Sequence, residues 1–266
     1  MIAKNSIFTS VLVVGCVIIL VSFAIRSSFG VFQIPIAEEF NWLRSEFSLA
    51  IALQNLAWGI GQPIFSAIAE KIGDRRAIII GGFTYASGLL LSSAAMTPQA
   101  HQIYEILVGF GVAGTGFGVI LAVVGRASSE KNRSMSLAIA TASGSAGQVI
   151  GAPIGELLLN YMPWKSVFVI FAITILSTLL LLPFMRVSIA INHRNETQNM
   201  RDLVGKAVVD PSYSMIFLGF FSCGSQLGFL TAHFPAFVTE MCNPILPGSG
   251  IYNLGITSTS ALGAIS

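Results

Sequence analysis

Charge is scarce in this sequence. Asp, Glu, Lys and Arg together supply 10% of its 266 residues, against 54% that are apolar. A soluble domain carries about 25% charged residues, so a chain this poor in charge cannot coat a water-facing surface. A bilayer is the solvent that does not ask for one. Basic clusters clear of the apolar runs are also missing, which excludes nucleic acid as a partner. The three cysteines, Cys16, Cys223 and Cys242, are widely spaced and lack any CxxC pattern. They read as small packing residues rather than as a disulfide framework or thiolate metal site. His101, His193 and His233 lie far apart without zinc-type spacing, and no serine stands in a nucleophile elbow. Enzyme chemistry therefore has no support, and neither a metal nor a cofactor is expected.

What the sequence has in abundance is long apolar runs. A bilayer-crossing helix needs about 20 mainly apolar residues. Eight such runs lie near Ile7–Phe32, Ser45–Ala69, Ala77–Met96, Gln102–Gly125, Met135–Asn160, Ser166–Met185, Tyr213–Val238 and Gly250–Ser266. The first is too long for a signal peptide and lacks a small-residue cleavage site before Arg26, so it reads as a retained span. The connecting segments alternate in charge. With the N-terminus in the cytoplasm, that side holds Lys4, Lys71, Arg75, Arg76, Arg126, Lys131, Arg133, Arg186, Arg194, Arg201 and Lys206. Only Arg44 and Lys165 fall on the other side. The positive-inside rule selects this orientation, that of a multi-pass protein of the inner or plasma membrane.

The one long polar stretch follows the sixth run. It divides the chain into a six-helix bundle over residues 1–186, a cytoplasmic linker over 187–212, and a partial second bundle over 213–266. Two bundles joined this way are the organisation of a transporter built from repeats. The last run ends at Ser266 without a charged flank, so the chain is expected to stop inside its eighth helix.

Several residues in the runs could carry chemistry. Arg26 lies inside the first span, where an arginine costs about 2.5–3.5 kcal/mol on insertion scales. At helical spacing Ser22, Arg26 and Gly30 share one face. A guanidinium grips a carboxylate through two parallel hydrogen bonds, so Arg26 points to a small organic anion as substrate. The alternative is a side chain snorkelling to the outer interface. In the second span Gln54, Asn55 and Trp58 either line a cavity or tie helices together. In the fifth, Gly147, Gly151 and Gly155 recur at four-residue steps around Pro153, a pattern for close helix packing. Glu156 beside them is either a buried proton site or an interfacial residue. His233 is a second candidate proton site, set against a His-Phe-Pro break that gates by shape alone. The run Gly109–Gly114 formally matches a dinucleotide fingerprint but has no βαβ setting.

Between the second and third spans, Ser66-Ala67-Ile68-Ala69-Glu70-Lys71-Ile72-Gly73-Asp74-Arg75-Arg76 resembles the signature loop of the major facilitator superfamily. Ser66 replaces the usual glycine and Glu70 the usual aspartate. Gly73 permits a tight turn, and Glu70 with Lys71, Asp74, Arg75 and Arg76 offers a charge cluster that locks one conformation. Arg26-Ser27-Ser28-Phe29-Gly30-Val31-Phe32, followed by Pro35, Phe40-Asn41-Trp42 and Gln62-Pro63, is similar to the monocarboxylate-porter branch. That resemblance implies an all-α membrane protein of major facilitator fold, with about eight transmembrane helices, a complete first bundle and the start of a second. It implies alternating access, Arg26 at the substrate carboxylate, and coupling to a proton or a counter-anion. In many superfamily members an arginine linked to proton transfer stands where this chain has Glu105. Export of amphipathic compounds and a transporter-like sensor are the alternative functions.

Overall fold

Thr9 starts the first helix by accepting a bond from the Leu12 amide at 3.2 Å, one of the donors that a helix N-terminus leaves unpaired. A computed structural model of the chain describes residues 8–185, 205 and 209–242, and every regular element among them is helical. Helix α1 (Ser10–Ser28) tightens into a 3-10 turn over Phe29–Phe32 and continues as α2 (Gln33–Phe40). Asn41, with φ of 53°, closes α2 in the left-handed region, where a short amide side chain is tolerated. Helix α3 (Arg44–Ile72) keeps Pro63 in its interior and ends at Gly73. At φ of 95°, Gly73 makes a turn that costs other residues strain, and α4 (Asp74–Ser93) follows at once.

Thr97 caps α5 (Pro98–Thr115) by accepting from the Ala100 amide at 3.3 Å, with proline in the first turn, where its missing N–H does no harm. At Gly116 the backbone becomes extended (φ −95°, ψ −160°), and helix resumes as α6 (Phe117–Ala127). The fourth membrane segment is thus broken. Helix α7 (Arg133–Leu159) carries Pro153 internally. Helix α8 (Trp164–Leu179) leads to a 3-10 turn at Leu182–Phe184, and α9 spans Pro211–Cys242.

Among the described residues, five segments are long and apolar enough to cross a membrane: Ser10–Phe40, Pro98–Ala127, Arg133–Leu159, Trp164–Phe184 and Pro211–Leu230. Helices α3 and α4, of 29 and 20 residues, have the length as well, about 1.5 Å of rise per residue. Their polarity is what sets them apart: Gln54, Asn55 and Gln62 in α3, and Asp74-Arg75-Arg76 opening α4. The first seven runs therefore coincide with helices, the first extending to Phe40. The linker 187–212 lies outside the described residues except at 205 and 209–212, and Gly250–Ser266 lies outside them entirely.

Helix α1 packs on α7, α3 on α5, and α4 on both α5 and α8. One apolar cluster gathers Ile18, Ile19, Phe23, Ile78, Ile120 and Val123 toward the Gly73 end. Another gathers Phe29, Phe32, Phe47, Leu89 and Phe168 toward the Asn41 end. Lipid is as apolar as these side chains, so close packing rather than water exclusion must join the helices. Glycines supply that closeness. A Cβ on Gly147 or Gly151 would strike the carbonyl oxygens of Leu20 or Ala24 on α1, and one on Gly155 would lie 2.9 Å from the Ser28 Cβ. The α4–α5 seam is built the same way, with Gly81 against Gly114, Gly88 against Val108 and Gly111 against Tyr85. Gly109 faces the Gln54 carbonyl of α3. The false nucleotide fingerprint is thus a two-sided packing strip.

Candidate functional site

Arg26 stands roughly midway along the Ser10–Phe40 segment and is only 8% exposed. Its Nη2 donates to Asn55 Oδ1 at 2.5 Å, and its Cζ lies 4.5 Å from the centre of the Trp58 ring. Asn55 turns its amide oxygen to the guanidinium because its Nδ2 donates to the Ile51 carbonyl at 2.9 Å. Desolvated stacking of a guanidinium on an indole contributes about 2 kcal/mol. Among the described residues no carboxylate bonds Arg26. Trp58 adds another donor, since its Nε1 is enclosed and has no hydrogen-bond partner. That atom faces the Gly116 break: a Cβ on Gly116 would sit 3.7 Å from it. The first turn of α6 beyond the break has no side-chain cap. Among the described residues Arg26 and Trp58 thus bring donors together near the break, with the Gln62 amide oxygen beside Gly118.

Ser22 and Gln54 do not join this group. Ser22 is fully buried, with its Oγ 2.9 Å from Thr115 Oγ1 and its carbonyl accepting from the Tyr85 hydroxyl at 3.2 Å. It ties α1 to α4 and α5. Gln54 points into the α3–α5 seam, where its Nε2 donates to Glu105 Oε2 at 2.9 Å. The Glu105 carboxyl is itself fully buried and also accepts from Ser92 Oγ at 2.7 Å. His101, 1% exposed, places Nδ1 3.0 Å from the same Ser92 oxygen and Nε2 3.9 Å from Glu105 Oε1. Rings of Trp42 and Phe47 lie 5.9 Å from the His101 ring. Sequence reasoning missed this cluster. His101 and Glu105 are four apart and so share a helix face, a signal that was available; Ser92 comes from another helix and gave none.

At the Gly73 end the ion pair runs from Asp74 Oδ1 to Arg126 Nη2 at 2.5 Å. Arg75 donates through Nε to the Met185 carbonyl at 2.8 Å and through Nη2 to the Pro183 and Met185 carbonyls, closing the C-terminal end of the sixth segment. Glu70, Lys71 and Arg76 are exposed, and none of them forms a salt bridge among the described residues. Of the loop's charges, Asp74 is thus ion-paired with Arg126, a residue outside the loop, while Arg75 bonds backbone carbonyls. At the Asn41 end Glu39 accepts from Trp164 Nε1 and Lys165 Nζ, both at 2.5 Å.

Gly147, Gly151 and Gly155 line the α1 contact, with Pro153 within an unbroken α7. Glu156 is half-buried, its Oε2 enclosed without a partner. His233 lies on α9 against the Phe229 ring, 5.0 Å between centroids. Helix α9 itself rests on the Phe29–Phe32 turn and on α3.

Residues 14–266 match the Major Facilitator Superfamily. The chain is 31% identical to Monocarboxylate transporter 13 of Bos taurus over 175 residues, 62% of this chain and 37% of that one. It is 24% identical to the uncharacterized MFS-type transporter YcxA of Bacillus subtilis (strain 168), over 78% of this chain and 52% of the relative. It thus spans about half or less of the length of these curated relatives. The crystal structure of a D-xylose-proton symporter superposes with a TM-score of 0.64 at 15% identity, covering 96% of this chain and 66% of the symporter. That last likeness is one of fold.

Proposed function

Because the chain belongs to the Major Facilitator Superfamily, we propose that it is a secondary transporter of a small organic anion, a monocarboxylate, working by alternating access. The observation that carries this reading is Arg26: a guanidinium buried at mid-segment, positioned by Asn55 and Trp58, with no carboxylate bonded to it among the described residues. A cation placed there at a cost of a few kcal/mol has its counter-charge supplied by the substrate. A carboxylate fits the free edge of the guanidinium, since two parallel N–H···O bonds match its geometry. The enclosed Trp58 Nε1–H would orient a second oxygen. The discontinuity at Gly116 belongs to the same picture, because broken helices at the midplane are where such transporters form their sites. The bovine relative is named as a monocarboxylate transporter, which agrees with this chemistry.

In this reading residues 1–186 form one bundle, 187–212 a cytoplasmic linker, and 213 onward belongs to a second bundle. The N-terminus is cytoplasmic and the protein resides in the cell membrane. Transport is coupled to a proton or a counter-anion. Uptake of labelled lactate, pyruvate and acetate by the full-length protein in proteoliposomes tests the reading. Saturable uptake of at least one acid is expected, lost in Arg26→Gln and strongly reduced in Arg26→Lys, which keeps the charge but not the planar fork. Unchanged uptake in Arg26→Gln would overturn it.

A further inference from the structure

We propose that His101 and Glu105, held by Ser92 and Gln54 between α3, α4 and α5, form a proton-binding site that loads from the Asn41 end of the bundle. The proposal rests on the transport reading for its purpose but on its own geometry for its chemistry.

Charge counting comes first. A carboxylate beside a neutral imidazole leaves one net negative charge in a place where Glu105 is 0% and His101 1% exposed. Isolated charge in such a setting is strongly disfavoured. One added proton makes the cluster neutral, whichever of the two side chains holds it. Among the described residues no Lys or Arg is ion-paired with the cluster. On α3, Glu46 accepts from Gln102 Nε2 at 2.6 Å. On α4, Tyr85 donates its hydroxyl proton to the Ser22 carbonyl. On α1, Arg26 keeps its charge, but its guanidinium bonds Asn55 and forms no ion pair with Glu105 among the described residues; on α2, Glu39 is bonded by Lys165.

The hydrogen bonds then give the proton a path. Ser92 Oγ gives its one proton to Glu105 Oε1 and so accepts from His101 Nδ1–H; the neutral ring then carries its lone pair on Nε2, which is enclosed and has no hydrogen-bond partner. His101 Nδ1, Ser92 Oγ and Glu105 Oε1 are joined in series at 3.0 and 2.7 Å. When a proton arrives at Nε2, the Nδ1 proton passes to Ser92 Oγ and the serine proton passes to Glu105 Oε1. The result is a neutral imidazole in its other tautomer, an intact serine hydroxyl and a carboxylic acid. Every proton is accounted for and no other reactant is needed.

Access and coupling follow from position. His101 lies in the first turn of α5, at the Asn41 end, behind the rings of Trp42 and Phe47. Movement of Trp42 in the short Asn41–Leu43 turn would open Nε2 to water. On the inner side the cluster meets α3 at Gln54, and the next residue, Asn55, bonds Arg26. Loading is therefore felt one residue from the proposed anion site.

Infrared difference spectroscopy on the full chain in lipid nanodiscs, with pH stepped between about 5 and about 8, tests this without any substrate. The expected result is a reversible protonated-carboxyl signal that is lost in Glu105→Gln, reappears in Glu105→Asp, and persists in Glu156→Gln and Arg26→Gln. His101→Gln should slow its exchange. The same signal in Glu105→Gln as in the unsubstituted protein overturns the proposal, as does a Glu105 carboxyl that never titrates in that range. Because no organic anion is present, failure here would leave the Arg26 reading standing. Loss of uptake in the liposome experiment would in turn say nothing against this site.

Discussion

Gly147 and Gly151 bring α7 onto the carbonyl oxygens of α1, and at such positions a single methyl group decides stability. Gly151→Ala is expected to destabilise the bundle by about 1–3 kcal/mol, the usual cost of overpacking, read as a lower unfolding midpoint in detergent. Gly59, which has nothing within 4 Å of a built Cβ, is the control; Gly59→Ala should be neutral or stabilising by up to about 1 kcal/mol through helix propensity. The distinction between these glycines was only partly legible in the sequence. Four-residue spacing exposed the α7 strip, and Arg26 was recognisable as a cation in an apolar run. Asn55 and Trp58 were legible, together with Gln54, as residues of the next span that could line a cavity. Whether Gln54 turned to Arg26 or to Glu105 could not be read, since that depends on the rotation of α3 against α5, which no local pattern encodes.

Elements are ended and joined here by single polar residues. Gly73 turns α3 into α4, and the Asp74–Arg126 pair then fastens the start of α4 to the end of α6. Arg126 is 47% exposed and Asp74 11%, so screening by water limits the pair to about 0.2–1 kcal/mol. A double-mutant cycle with Asp74→Asn and Arg126→Gln should return a coupling in that range, diminishing as salt is raised. A coupling near zero at low salt would show that the pair contributes nothing to holding these ends. The positions of the helices were legible because apolar runs and their charged flanks are written directly in composition. The break at Gly116 was not. Gly109 to Gly118 is rich in glycine throughout, and a packing glycine looks the same in sequence as one that interrupts a helix.

Across the whole molecule, the alternation of basic segments predicts which loops share a side of the membrane. Single cysteines introduced as Glu130→Cys and Tyr161→Cys, with Cys16, Cys223 and Cys242 replaced by serine, are expected to react with impermeant reagents from opposite sides. Glu130→Cys should label from the cytoplasm; labelling of both from one side would refute the topology. The multi-span helical class was legible in advance because the bilayer imposes length and charge rules on every segment at once, and the family through the resemblance of the Ser66–Arg76 loop. The buried cluster on α3, α4 and α5 was not, because it is made by contacts between residues as many as 51 positions apart.

The glycine seams have a thermal consequence. A contact made of backbone against backbone contains almost no side-chain rotamers, so separating it releases no rotational freedom, whereas long side chains regain it when they part. At Gly147 and Gly151 on α1–α7 and at Gly81 and Gly114 on α4–α5 the nearest facing atoms are main chain, while Phe29, Phe32 and Phe168 meet as whole rings. Heating thus rewards opening at the ring-lined joints and gives nothing back at the glycine-lined ones. The helices of each glycine pair should travel together as stiff units, with sliding confined to the boundaries where side chains have disorder to gain.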